Sequence, residues 1–284
     1  MLAYRHAFHA GNHADVLKHL VFMLVLKHMN AKDKGYRLVD THAGAGGYSL
    51  QGEYANKRAE YLDGIARLWG REDLPGPIAD YVALVRHFNG GKALRQYPGS
   101  PAIAQALLRT QDQLRLFELH PTDHRILASY LGTEKAVEVK MGDGFDALKG
   151  QLPPPTRRGV VLIDPSYELG ADYARVVVAL REGLERFADG VMMIWYPQLQ
   201  RIESASLAKR LQAVAGKQAK KGWLHVRLSV ALPDERGFGL LGSGVFIANP
   251  PHLLAAALRP LMPWLVGALA QHEQAGFLLE QSAR

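Results

Sequence analysis

The chain contains no cysteine. That absence excludes disulfides, thiolate zinc sites and iron–sulfur clusters. It also excludes any mechanism built on a cysteine nucleophile, such as methylation of a pyrimidine carbon through a covalent cysteine adduct. Long apolar runs are missing too. The longest candidate, residues 20–26, falls far short of the ~20 residues that a membrane span needs. The N-terminus is polar and rich in His and Arg instead of carrying the apolar core of a secretory signal, so a cytoplasmic protein is expected. No internal repeat or low-complexity tract is visible. Acidic residues are outnumbered: 34 Lys and Arg against 27 Asp and Glu give a formal charge of +7. A basic balance of this kind favours a polyanionic partner.

What is present alternates between strand and helix patterns. At 284 residues and 48% apolar, the chain can bury one large core, or a core with a small insertion. Val160-Val161-Leu162-Ile163, followed by Asp164-Pro165-Ser166-Tyr167, has the pattern of a buried parallel strand that stops at an acidic turn. Ligands of open α/β sheets sit outside such strand ends. A carboxylate there accepts N–H bonds, and the nearby aromatic offers a face for stacking, which suits a flat molecule carrying an amine. The same letters also fit an ordinary Asp-Pro turn with a packed tyrosine.

Residues 36–40 have the pattern of another strand, and Thr41-His42-Ala43-Gly44-Ala45-Gly46-Gly47-Tyr48 that of the glycine-rich turn after it. Glycines there let a ligand approach the backbone. A dinucleotide fingerprint needs glycine at position 49, where Ser49 stands, so a pyrophosphate is disfavoured and a nucleoside-type ligand still fits. Residues 114–118 follow as a strand ending in Glu118, the usual grip on a ribose, but it comes much later than the customary ~20 residues after the turn. The surplus, residues 51–96, has helical periodicity in Tyr61, Leu62, Ile65, Leu68 and Trp69, then in Ile78, Tyr81, Val82 and Val85. Pro75-Gly76-Pro77 breaks the two parts. An inserted helical subdomain is expected there.

Residues 136–140 read as a third strand, and Asp143 between Gly142 and Gly144 either binds an adenine amine or makes a good turn. Helices at 173–187 and 203–216, a strand at 191–196 and a strand pair at 223–232 and 244–249 follow. The pair predicts an antiparallel strand at one end of an otherwise parallel sheet. At the other terminus, residues 1–14 carry Tyr4, Arg5, His6, Phe8, His9 and His13 with almost no aliphatic anchor. Cations interleaved with aromatics suit phosphates and stacked bases, although a frayed terminus has the same composition. No carboxylate or cysteine accompanies these histidines before Asp15, so no metal site is expected. Asn12 or Asp15 is placed to cap a helix whose apolar face is Val16, Leu17, Leu20, Val21, Leu24 and Val25.

Strand, glycine turn, acid, Gly-Asp-Gly and Asp-Pro-x-Tyr, closed by a hairpin, resemble the S-adenosylmethionine-dependent class I methyltransferases. The last motif resembles that of the amino-methyltransferases. In closer detail, MLAYRHAFHAGNHADVLKH, LVDTHAGAGGY, EYLDGIARLW, YPGSP, ELHP, GDGF and LIDPSYE are similar to the RlmJ family, from residue 1 to about 250. That family methylates an adenine amine of bacterial 23S ribosomal RNA. The resemblance implies an α/β fold: a Rossmann-like, mostly parallel sheet with one antiparallel strand and an inserted helical subdomain. The methyltransferase domain is expected over 15–50 and 97–284, the insertion over 51–96, and an RNA-facing tail over 1–14. S-adenosyl-L-methionine is the implied cofactor, contacted by His19, His42, Ser100, Glu118, Asp143, Gly144 and Asp164. The implied partner is 23S ribosomal RNA, met by Tyr4, His6 and Lys18. Asp164, Pro165 and Tyr167 are the implied catalytic positions, and a monomer without metal or membrane partner is expected.

The family tetrad is Asp-Pro-Pro-Tyr, and here the third position is Ser166. A proline there restricts the residue before it, so serine leaves the Pro165 carbonyl freer. The chemistry expected of the tetrad is simple. An adenine amine is a poor nucleophile because its lone pair is delocalised into the ring. Two acceptors, the Asp164 carboxylate and the Pro165 carbonyl, hold its hydrogens while the flipped base rests on Tyr167. A DNA adenine-N6 methyltransferase would use the same tetrad, but no separate domain for sequence readout is visible. A non-catalytic rRNA-binding assembly factor would keep the basic tail and lose methyl transfer.

Overall fold

The computed structural model describes residues 6–51, 59–91, 93–234 and 239–282. Its strands are β1 (Arg37–Asp40), β2 (Gly47–Ser49), β3 (Gln96–Pro98), β4 (Gln113–Glu118), β5 (Val137–Met141), β6 (Gly159–Ile163), β7 (Val191–Gln198), β8 (Trp223–Ser229), β9 (Gly242–Ala248) and β10 (Gly276–Gln281). Eight of them form one sheet in the order β10-β8-β9-β7-β6-β1-β4-β5, while β2 and β3 make a small antiparallel ribbon. From β5 to β7 every pairing is parallel. The apolar runs of β1, β6 and β7 fit burial on both faces.

The strand pair expected at 223–232 and 244–249 is present as β8 and β9. Its returning strand, β9, lies inside the sheet because it finds ladder partners on both sides, antiparallel to β7 and to β8. A second antiparallel strand, β10, pairs with β8 and forms the edge. The sequence reading contains only one reversed strand. β10 is half-exposed, with Phe277-Leu278-Leu279 giving no clean alternation, so its pattern carries little strand signal.

The helices are α1 (His13–Asn30), α2 (Ala66–Trp69), α3 (Gly76–Phe88), α4 (Ser100–Leu107), α5 (Pro121–Leu131), α6 (Gly144–Gln151), α7 (Gly170–Arg186), α8 (Ile202–Gln218) and α9 (Leu254–Leu269). Successive strand residues point to opposite faces. Leu38, Val160, Leu162 and Met193 therefore join a core with α1, α4, α5 and α9. Val39, Val161, Ile163, Met192 and Ile194 join another with α6, α7 and α8. α1 is buried along most of its length, packed among β9, α3, α4 and α9. Asn12, not Asp15, caps it: Asn12 Oδ1 accepts from the N–H groups of Ala14 and Asp15 at 3.0 and 2.9 Å. That leaves the Asp15 carboxylate free for another task.

The run read as helical at 61–69 is a 3₁₀ turn, Glu60–Asp63, followed by the four-residue α2, and Leu62 is exposed. Ile65, Leu68, Ile78, Tyr81, Val82 and Val85 are all buried, and they share one core with α1. The ribbon of β2 and β3 zips the two ends of this segment together through Gly47↔Pro98, Tyr48↔Tyr97 and Ser49↔Gln96.

Candidate active site

The C-terminal ends of β1, β4, β5 and β6 and the first turns of α1 enclose a cavity of about 230 Å³. Its floor depends on two glycines. Gly44 has φ 63°, and a Cβ on it would lie 2.1 Å from the Tyr48 hydroxyl oxygen. A Cβ on Gly144 would lie 1.9 Å from the Thr41 carbonyl oxygen, so α6 abuts the turn after β1 with no room for a side chain.

At one end of the cavity, Glu118 terminates β4. The N–H groups of Gly44 and His120 donate to its two oxygens, both at 2.7 Å. Burial pushes this carboxyl up against those bonds. Asp143 caps α6 by accepting from the Phe145 N–H at 2.9 Å, and its other oxygen accepts from Arg175 at 2.8 Å. Burial opposes ionisation of Asp143, but the Arg175 guanidinium outweighs it and holds the carboxyl below the usual range. Arg175 also lies over the Phe145 ring, 4.4 Å from its centroid. His42 meets Phe145 edge-on at 4.7 Å, and burial lowers its pKa to about 4, so it is a neutral imidazole.

At the other end stands Asp164. Lys18, 3% exposed, donates to Asp164 Oδ2 at 2.7 Å and pairs with Asp15 Oδ1 at 2.8 Å. Burial works against the ammonium, but Asp15 and Asp164 together raise its pKa above the ordinary lysine value. Asp15 Oδ2 also accepts from the Gly11 N–H and meets His6 Nε2, both at 2.9 Å. Burial disfavours the Asp15 carboxylate, yet the His6 contact and the Lys18 ammonium beside it hold it well below the usual range. Lys18, read from the family pattern as an RNA contact, therefore sits on the catalytic-type carboxylate. Asp164 Oδ1 and the Pro165 carbonyl accept no hydrogen bond among the described residues.

Tyr167 requires a correction. Its backbone is left-handed, φ 55°, a strained conformation for an aromatic residue, and this turns the ring inward. The ring is 1% exposed, packs on Tyr173 at 4.7 Å, and its hydroxyl donates to the Trp195 carbonyl at 2.7 Å. It is not among the cavity-lining residues and offers no face to a base. Trp195 does line the cavity, and the Lys18 ammonium lies 5.3 Å from its ring centroid.

The other positions named from the sequence converge. His6, Lys18, His19, His42, Ser100, Glu118, Asp143, Gly144, Asp164 and Pro165 all line the cavity, and Tyr4 lies outside the described residues. Three contributors escaped the sequence reading. Asp15 and Trp195 carried no local signal beyond a cap and a strand. Asp40 ends β1 immediately before the glycine turn, a place that marks it in retrospect. It accepts from Ser100 Oγ at 2.6 Å and from the His42 N–H at 3.2 Å. Burial, with the Asp164 charge adding to it, pushes the Asp40 carboxyl up to about 7 despite the Ser100 bond.

In a chain of formal charge +7, the cavity lining is nonetheless acidic. Glu118, Asp123, Asp143, Asp164 and Asp172 outnumber Lys18 and Arg175. Such a lining fits a cationic ligand with hydroxyl and amine donors. Among the described residues, no group of three or more His, Asp or Glu is placed to hold a metal ion, and no helix is long and apolar enough to cross a membrane.

A mostly parallel sheet with a glycine turn after its first central strand, acids at the next strand ends and an Asp-Pro acceptor pair defines a class I S-adenosylmethionine-dependent methyltransferase. The chain belongs to the family described as ribosomal RNA large subunit methyltransferase D, RlmJ, whose model matches residues 33–280. It is 46% identical over 265 residues to the ribosomal RNA large subunit methyltransferase J of Escherichia coli (strain K12), covering 93% of each chain. Its identity to the methyltransferase of that name from Haemophilus influenzae is 45% over 281 residues, covering 99% of this chain and 98% of that one. The solved structure of protein LPL1258 from Legionella pneumophila superposes with a TM-score of 0.88 at 30% identity, over 97% of this chain and 99% of that one. The resemblance read from the motifs is borne out.

Proposed function

We propose that this protein transfers a methyl group from S-adenosylmethionine to the exocyclic N6 amine of a single adenine in 23S ribosomal RNA, a cytoplasmic step of ribosome biogenesis. The observation that carries this reading is a pair of adjacent unused acceptors, Asp164 Oδ1 and the Pro165 carbonyl, at the end of a cavity suited to a cationic nucleoside. Glu118 has lone pairs for ribose hydroxyls, and Asp143 for an adenine amine. When bound there, the cofactor supplies an electrophilic sulfonium methyl.

The chain's own residues do the rest. Lys18 fixes the Asp164 rotamer through Oδ2, so Oδ1 remains the available acceptor. Oδ1 and the Pro165 carbonyl take the two N–H groups of the target amine, which draws its nitrogen toward tetrahedral geometry and aims its lone pair. Because the electrophile is already cationic, strong base catalysis is unnecessary, and Oδ1 can take the proton released on transfer. Trp195, not Tyr167, is the ring on which the flipped base stacks.

The domain reading follows the same lines. The tail 1–14 is an RNA-facing addition, and 51–96 an inserted helical subdomain, of a methyltransferase domain spanning 15–50 and 97–284. The tail's place beside the site is supported by His6, which lines the cavity, while His9 and Asn12 tie the tail to Glu60 of the insertion. Incubation with methyl-labelled S-adenosylmethionine and unmodified 23S ribosomal RNA, followed by mapping of the label, tests the proposal. Label on one adenine is expected. Label on duplex DNA instead, or RNA binding without any transfer, overturns it.

A further inference from the structure

The acidic cavity lies at the start of α1, and a cluster of cations lies at its end. His28, in the last turn of α1, meets His252 edge-on, with ring centroids 5.6 Å apart. His252 belongs to the segment between β9 and α9. Arg158, just before β6, donates to the Met29 carbonyl at 2.5 Å and to those of Lys32 and Lys34. Lys221 stands in the turn before β8, where its N–H donates to Asn249 Oδ1 at 2.8 Å. The cluster is thus His28, Lys32, Arg158, Lys221 and His252, and four separate stretches of chain supply it.

No acid answers these charges. Among the described residues, the side chains of His28, Lys32, Lys221 and His252 make no hydrogen bond and no ion pair. Burial lowers the His28 pKa, and the charges of His252, Arg158, Lys32 and Lys221 all lower it further. Asp189 and Asp112, in neighbouring turns, are taken by Lys220 at 3.0 Å and by Arg109 at 2.8 Å. The first turn of α9 holds no acidic residue. The dipole of α1 accounts for Arg158, which satisfies carbonyls at the helix end. It does not account for Lys221 and His252, which are exposed and come from other segments. Like charges gathered in this way destabilise the fold unless an anion from outside offsets them.

We infer that this cluster is a second contact surface for the RNA, which holds backbone phosphates at the end of α1 remote from the cavity. This rests on the ribosomal RNA methyltransferase reading, which supplies a polyanion large enough to meet both ends of the helix. The 18 residues of α1 span ~27 Å, so a phosphate held here belongs to a part of the RNA distant from the flipped adenine. The two ends divide the work. The acidic cavity suits a cationic cofactor but repels the strand whose base it takes, so attraction for the polyanion has to come from elsewhere. A phosphate set against His28 and His252 favours their protonated forms, in which both ring nitrogens donate. Such contacts orient the RNA without reading its bases.

The test is binding of protein-free 23S ribosomal RNA to the full-length protein, measured against salt for the wild type and for the double variant Lys221→Ala, His252→Ala. The variant is expected to bind about tenfold more weakly at physiological salt, with a salt slope shallower by about 1–2. Its melting temperature should match or exceed that of the wild type, because the substitutions relieve repulsion. S-adenosylmethionine affinity should not change. RNA affinity equal to that of the wild type overturns the inference. A lower melting temperature also overturns it, because the cluster is then part of what holds the fold together. Vesicles containing phosphatidylserine are a competing polyanion, and loss of vesicle binding with RNA binding intact assigns the surface to a membrane instead. A wild type that binds S-adenosylmethionine but labels no adenine of this RNA overturns the methyltransferase reading, and the identity of the ligand with it.

Discussion

Lys18 and Asp164 form an ion pair at the β6 end of the cavity, with Nζ 2.7 Å from Oδ2, and the same ammonium is 2.8 Å from Asp15. One cation thus separates two carboxylates that would otherwise face each other out of water. The arrangement ties α1, and through Asp15 the His6 end of the tail, to the carboxylate proposed to receive the substrate amine.

Lys18→Met should lower stability by about 3–5 kcal/mol, the usual cost of leaving a buried charge without its partner. Adding Asp15→Asn should recover part of that loss, because one of the two stranded carboxylates is then neutral. Denaturant unfolding of the two singles and the double measures the coupling. Effects that simply add, within ~0.5 kcal/mol, would mean the residues do not interact.

Asp40 predicts a pH dependence of defined sign. Its folded carboxyl is pushed up to about 7, from an ordinary 3.8, chiefly by burial. Between those values the folded state holds a proton that the unfolded state has lost. The stability this group contributes is therefore full below about pH 4 and declines as pH rises through about 7. Asp40→Asn lacks this decline, so its melting temperature should gain on the wild type across that window and then run parallel. Buried His13 and His42, each lowered to about 4 by burial, act in the opposite direction but are common to both proteins. A melting-temperature gap that does not vary with pH sinks the idea.

Ser166→Pro restores the family tetrad. The Ser166 N–H has no acceptor among the described residues, and its φ is not in the left-handed region. Its hydroxyl makes only a 3.5 Å contact with the Glu168 N–H. Proline here should hold or raise turnover and add ~0.4–1 kcal/mol by restricting the unfolded chain. A simultaneous drop in turnover and melting temperature would mean that the turn is built around serine.

Trp195→Leu should raise KM for RNA by roughly 5- to 150-fold, from ~1–3 kcal/mol of lost base stacking, with cofactor affinity unchanged. Tyr167→Phe keeps its buried ring and leaves the Trp195 carbonyl without its donor, for an expected loss of ~1–3 kcal/mol in stability. If the RNA effect is absent from Trp195→Leu, the base stacks elsewhere.

Much of this protein is legible in local patterns. The glycine turn, the acids at strand ends, the Asp164 tetrad and the family itself are written in short stretches, because positive φ, strand alternation and cap geometry act over a few residues. What those stretches touch is not local. Lys18 and Asp164 are 146 positions apart, and Tyr97 and His19 are 78 apart. Packing of α1 against the sheet decided that Lys18 serves a carboxylate, that Asp15 is freed by Asn12, and that His19 meets the Tyr97 hydroxyl, which in turn meets that of Tyr81. Packing also turned Tyr167 inward. Sequence determined which groups this site contains; tertiary structure decided their partners, because in a dry interior each polar atom must bond to whatever the fold brings within reach.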